Sequence, residues 1–191
     1  MTKKIDKKWD RVNKSNLRAK LLDVNGWIRK ADELIYSASL LEPKIIQIWD
    51  NLKSVFHGED ARPGSTGYIG TFFMLYAFAI ENSLKAKIIL KNRIKFRKYV
   101  EQRGKLPEEL KSHDLFTLAK SLDIQIDSSE EDLLRRLSRS AVWAGRYPVP
   151  LFSKELGGQQ YSNGNIYNDS VYKRIDIEKI KKLFEKIKLA N

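Results

Sequence analysis

The stretch GYIGTFFMLYAFAIENSLKAKIIL, residues 67–90, decides how this chain folds. From Tyr68 to Ile80 only Gly70 and Thr71 relieve its apolar character. A bilayer crossing needs about 20 apolar residues, so the run is too short to span a membrane and reads as a helix buried in protein. The helix is expected to start at Thr66 or Gly67 and to continue at least to Asn92, with Arg103 as its far limit. Its first half is apolar on nearly every side, which makes it the central helix of the fold. Its second half turns amphipathic and strongly basic.

Upstream of it, Leu17, Leu21, Trp27, Ala31, Leu34, Ile35, Ala38 and Leu41 recur at three- and four-residue steps and predict a helix over Ser15–Leu41. Gly26 predicts a bend within it. Pro43, which lacks an amide proton and clashes with the preceding turn, predicts its end or a kink. A second helix is expected over Pro43–Phe56, and the turn-forming segment His57–Gly67 predicts an exposed loop. That loop lacks the Gly-Lys-Ser/Thr ending of a phosphate-binding P-loop. Residues 1–14 read as a flexible basic tail.

Downstream, Pro107 closes the basic helix, and Leu115, Leu118, Ala119 and Leu122 mark a short helix over His113–Leu122. Ser128 and Glu131 predict a capping box for the next helix. That helix carries Leu133, Leu134, Leu137, Ala141 and Val142, and stops at Gly145. Around Asn163-Gly164 the sequence fits either a small β-hairpin over residues 159–168 or an ordered loop. Ile177, Ile180, Leu183, Phe184 and Ile187 make the core-facing stripe of a last helix over Ile175–Leu189. The expected class is therefore all-α: one domain over 1–191, an antiparallel bundle of five to seven helices.

Composition removes several functions. The chain has no cysteine and only two histidines, His57 and His113, so there is no disulfide framework, thiol nucleophile or thiolate zinc site. No metal and no cofactor are expected. The basic N-terminus has no apolar stretch behind it, so it is not a secretory signal, and the cytoplasm is the expected compartment. No membrane association is expected.

Net charge is +12, and it is segregated. Residues 1–20 carry eight Lys/Arg against two Asp, residues 84–111 ten against three Glu, and residues 173–191 seven against three acids. The rest of the chain is net negative. Brought onto one face, these segments would attract nucleic acid or another polyanion without sequence preference; kept apart, they are solvated helix faces. Lys87, Lys91, Arg93, Lys95, Arg97 and Lys98 are the densest cluster and the expected nucleic-acid contacts. The partners expected are RNA or other nucleic acid, an acidic protein, and a second copy of the chain.

Three polar clusters are candidates for chemistry. Glu81 and Asn82 interrupt the apolar helix, and Glu81 sits four residues before Lys85 in the order that favours pairing. A carboxylate so close to apolar packing needs a partner. It either marks where the helix surfaces or lines a polar cleft. His113 and Asp114 precede the short helix, where Asp114 suits a first turn and His113 has the chemistry of a general base. Arg146 and Tyr147 follow the helix stop in WAGRYPVP, either as a stiff exit or as groups presented to a partner.

The order of AIENSLKAKIIL, SHDLFTLAKSL and LLRRLSRSAVWAGRYPVP resembles helical bundle proteins of the HEPN superfamily over about residues 68–150. The resemblance implies an antiparallel helical bundle, often dimeric, acting on or near RNA in toxin–antitoxin and phage-defence systems. Its ribonucleases carry an Arg followed after four to six residues by a catalytic His. Neither His57 nor His113 has an Arg so placed, the nearest before His113 being Arg103. No catalytic residue carries over. The leading expectation is a binding protein with a basic face. The alternatives are a divergent ribonuclease that gathers Glu81, His113 and Arg146, or a scaffold for dimerisation without catalysis.

Overall fold

The computed structural model describes residues 2–56, 67–144, 159–160, 166–167 and 172–190. Seven helices carry them: α1 Thr2–Leu22, α2 Val24–Phe56, α3 Gly67–Lys91, α4 Arg93–Arg103, α5 Leu115–Lys120, α6 Ser128–Arg139 and α7 Ile175–Leu189. The class is all-α. Gln159–Gln160 and Ile166–Tyr167 pair antiparallel over two residues a side, too little to add a layer. The expected turn at Asn163-Gly164 lies outside the described residues, as does the loop over 57–66.

α3 is the centre. Phe72, Phe73, Ala77, Ala79, Ile80, Leu84 and Ile89 are wholly buried, and α1, α2, α4, α5, α6 and α7 all pack against this one helix. A helix without a polar face is stable only when other elements enclose it. α2 covers its longest side with a seven-residue repeat, Ala31, Ala38 and Ile45, all buried.

The packing is not antiparallel throughout, as the sequence had suggested. Phe73 stacks on Tyr172 at 3.6 Å, Tyr76 meets Phe184 edge-on, and Lys87 reaches the carbonyl of Lys188. The two series ascend together, so α7 runs parallel to α3. α2 opposes α7, through Arg174–Asp50, Lys181–Glu42 and Lys188–Asp32 pairs at 2.5–2.9 Å. The long connection before α7 makes the parallel return possible.

Helix boundaries differ from expectation for local reasons. The basic stretch 1–14 is not a tail, since α1 is helical from Thr2. The first long helix breaks at Asp23 rather than at Gly26 or Pro43. Asp23 caps α2, its carboxylate accepting from the Gly26 amide at 3.0 Å. A Cβ on Gly26 would lie 2.5 Å from that carboxylate, so glycine here makes room for the cap. Trp27 Nε1 donates back to the Leu21 carbonyl across the break. Pro43 stays inside α2. It is exposed, so the carbonyl that it leaves without a donor can face water, while Ile45 and Ile48 hold the next turn to the core.

α3 and α4 meet at Asn92, whose side-chain amide bonds the Ile88 carbonyl at 3.0 Å in competition with the helix. α4 ends on Gly104 at φ 63°, in the left-handed region that suits glycine. The cap of α6 lies one residue before the expected one. Asp127 accepts from the Ser129 and Glu130 amides and Glu130 reaches back, leaving Glu131 to pair with Arg135 at 2.8 Å.

Tyr76 is buried, and burial together with Glu42, Glu185 and Glu178 pushes its hydroxyl up to about 12. The folded state then keeps a proton that the unfolded chain loses near pH 10. Stability is expected to fall between about pH 10 and 12, and Tyr76→Phe to flatten that part of the profile, read by urea unfolding. In the same assay Phe72→Ala should cost about 3–5 kcal/mol, and Phe78→Ala less, because Phe78 is only half-buried.

Candidate functional site

Two of the sequence's polar clusters meet in space. Glu81 lies midway along α3 with its side chain 11% exposed. One carboxylate oxygen accepts from Lys85 Nζ at 2.6 Å; the other lies 3.0 Å from His113 Nδ1, in the segment before α5. Lys85 is itself buried, its side chain 5% exposed, while that of His113 is 49% exposed. The helix spacing of four brings Lys85 to Glu81, and Asp114 brings His113. As N-cap of α5, Asp114 accepts from Thr117 N at 3.0 Å and Thr117 Oγ1 at 2.8 Å. The Ser138 hydroxyl accepts from the Leu115 amide at 2.9 Å and ties this segment to α6.

The carboxylate thus holds the half-exposed imidazole by one nitrogen, Nδ1. That geometry orients a histidine for proton transfer or for binding. Asn82 stands apart, donating to the Phe78 carbonyl at 2.7 Å. Arg146 and Tyr147 lie outside the described residues. Among the described residues no three His, Asp or Glu side chains gather to hold a metal ion. No helix among them is long and apolar enough to cross a membrane.

The basic cluster divides. Lys87 is committed to the fold: it donates to the carbonyls of Lys188 and Ala190 at the C-terminal end of α7, and burial draws its pKa down. Lys91, Arg93, Lys95, Arg97 and Lys98 are exposed on the end of α3 and on α4. Lys91 lies 3.3 Å from Asp123, Lys95 2.5 Å from Glu109 and Arg97 3.3 Å from Glu101. Hydrogen bonds from Arg18 and Lys95 hold Glu101 and Glu109, respectively, below the usual carboxylate range. Arg93 and Lys98 make no ion pair among the described residues.

Tertiary packing gathers the basic segments. α1 runs antiparallel to α4, with Lys14 against Gly104 and Arg18 on Glu101 at 2.5 Å. The end of α7 arrives under Lys87, one turn before Lys91.

One buried network escaped sequence reading. Arg136 of α6 bonds Asp176 of α7 at 2.8 and 3.2 Å and Asp132 at 2.9 Å. Burial lowers its pKa, but the bonds and charges of Asp176 and Asp132 more than reverse this and keep it charged. Tyr172, stacked on Phe73, shares a 2.5 Å hydrogen bond with Ser140. Only the recurrence of Arg136 on the apolar side of α6, between Leu133 and Leu137, hinted at a buried cation.

Removing Glu81 leaves Lys85 buried without a countercharge. Glu81→Ala is expected to cost about 3–5 kcal/mol in urea unfolding, whereas replacing both Glu81 and Lys85 by Met should restore most of the loss. His113→Ala should cost about 1 kcal/mol or less, as expected for a half-exposed contact.

The chain matches no family model, no curated protein and no solved structure.

Proposed function

We propose that this chain is a helical binding module that holds nucleic acid, without base preference, through a basic face built on α4, the end of α3 and α1. The observation that carries the reading is the antiparallel packing of α1 on α4, which brings Lys14 to Gly104 and sets Arg18 beside Arg97 on the shared Glu101. Ion pairs at these surface positions are worth about 0–1 kcal/mol, so Lys91, Lys95 and Arg97 can exchange a carboxylate for a phosphate at little cost. Arg93 and Lys98 need no exchange. Lys87 falls outside the contact set because its ammonium caps α7. The HEPN-like order of motifs supports an RNA-linked role in bacterial defence or a toxin–antitoxin pair, and a dimer as the working form.

Affinity should fall steeply with salt, because phosphate contacts release counterions. Replacing Lys91, Arg93, Arg97 and Lys98 by Gln should weaken binding of a mixed-sequence single strand and flatten the slope of log affinity on log salt by about 3. Fluorescence anisotropy at low and physiological salt reads both. If the unmutated protein fails to bind even at low salt, the nucleic-acid reading is removed.

A second reading rests on the 3.0 Å contact of His113 with Glu81: a divergent ribonuclease in which His113 Nε2 moves the proton and Glu81 positions the ring. Incubation with labelled RNA decides it. Cleavage that His113→Ala abolishes and Glu81→Gln diminishes supports an enzyme. Intact RNA in the presence of the unmutated protein removes this reading.

A further inference from the structure

The elbow between α3 and α4 carries a feature that nucleic-acid binding does not use. Leu90 is 61% exposed and Ile94 75% exposed. One stands at the end of α3 and the other at the start of α4, on either side of Asn92, and both border one hollow. Around them Lys91, Arg93, Lys95 and Lys98 line the same open hollow of about 620 Å³. Exposed aliphatic side chains scattered singly are ordinary on a protein surface. An adjacent pair inside a ring of four cations is a patterned surface.

We propose that this elbow docks an acidic amphipathic helix of a partner protein, whose two aliphatic side chains, one turn apart, lie on Leu90 and Ile94 while flanking Asp or Glu side chains meet the cationic rim. The chemistry of the patch selects this occupant. Sequence-tolerant nucleic-acid contacts use aromatic faces for stacking, and among the described residues no aromatic side chain lines this hollow. Leu and Ile offer no such face. A second copy of the chain would bring the same four cations into repulsion. A bilayer would receive only two aliphatic side chains, too little area for stable insertion. Carboxylates already suit the rim: Asp123 and Glu109 of this chain sit on Lys91 and Lys95, which leaves Arg93 and Lys98 for a partner. This docking goes beyond the nucleic-acid reading and stands without it. Where both hold, the shared cations make the two ligands compete.

The test uses the full chain and three probes: a helical peptide with leucines at i and i+4 flanked by glutamates, the same peptide with both leucines replaced by Gln, and a mixed-sequence oligonucleotide. The leucine peptide should bind at least about tenfold more tightly than its Gln counterpart, a difference of about 1.4 kcal/mol. L90Q/I94Q should lose about that factor for the leucine peptide and stay within about twofold of the unmutated protein for the oligonucleotide. Its thermal midpoint should be unchanged, since both side chains are exposed. Equal affinity for the two peptides, or no affinity for either, overturns the proposal. So does a loss of oligonucleotide binding by L90Q/I94Q as large as the loss of peptide binding, which would assign the patch to nucleic acid. In the four-site Gln variant the oligonucleotide and the leucine peptide should both lose affinity, because Lys91, Arg93 and Lys98 belong to both contact sets. Full retention of peptide affinity there overturns the proposal. Loss of the peptide, with no oligonucleotide binding by the unmutated protein, removes only the nucleic-acid reading.

Discussion

A helix that is apolar on every side cannot remain at a surface, and α3 imposes that condition on the whole chain. Burying a large aliphatic or aromatic side chain is worth about 1.5–3 kcal/mol, and α3 buries Phe72, Phe73, Ile80, Leu84 and Ile89 without remainder. Two or three neighbours cannot enclose such a cylinder. α2 takes one long side, and α5 and α6 another. α7 fills the gap by running parallel to α3, between α2 and α6. The parallel run follows from enclosure: the last helix must lie along the groove that remains, whichever way the preceding chain delivers it.

Enclosure makes every polar group on α3 costly unless it is matched. Glu81 is matched twice, by Lys85 from its own helix and by His113 from the next segment. Arg136 and Asp176 solve the same problem between α6 and α7. Buried pairs of this kind contribute less to net stability than to register, because desolvation offsets much of their attraction. The Arg136–Asp176 bond fixes where α7 begins along α6. The Glu81–His113 contact fixes the start of α5 against the centre of α3. The half-exposed imidazole is thus a by-product of anchoring and also the site where chemistry would be possible.

The basic surface depends on the same enclosure. Beyond Ile89 the chain turns polar on one side while Phe96 and Val100 keep α4 on the core, and the break at Asn92 starts the new helix. α1 then lies on α4 rather than on the core alone, and glycine at 104 lets the stem of Lys14 approach. Cations far apart in sequence become neighbours, and their ion pairs with Glu101, Glu109 and Asp123 restrain the resulting repulsion.

By itself the sequence determined the all-α class, the central helix, and the last helix to the residue, because side-chain periodicity is a local property that a helix expresses directly. It also determined the Glu81–Lys85 pair, set by a spacing of four. It misjudged Pro43 and residues 1–14, where local signals of breakage and solvation were outweighed. Exposure on one side and packing on the other carry α2 through the proline, and α1 is a continuous helix whose later turns gain α4 as a partner. The meeting of His113 with Glu81, the pairing of Arg136 with Asp176, the capping of α7 by Lys87 and the gathering of the basic segments were decided only in the tertiary structure. Each joins groups between 32 and 103 residues apart, and no local periodicity encodes which distant side chain will satisfy a buried charge.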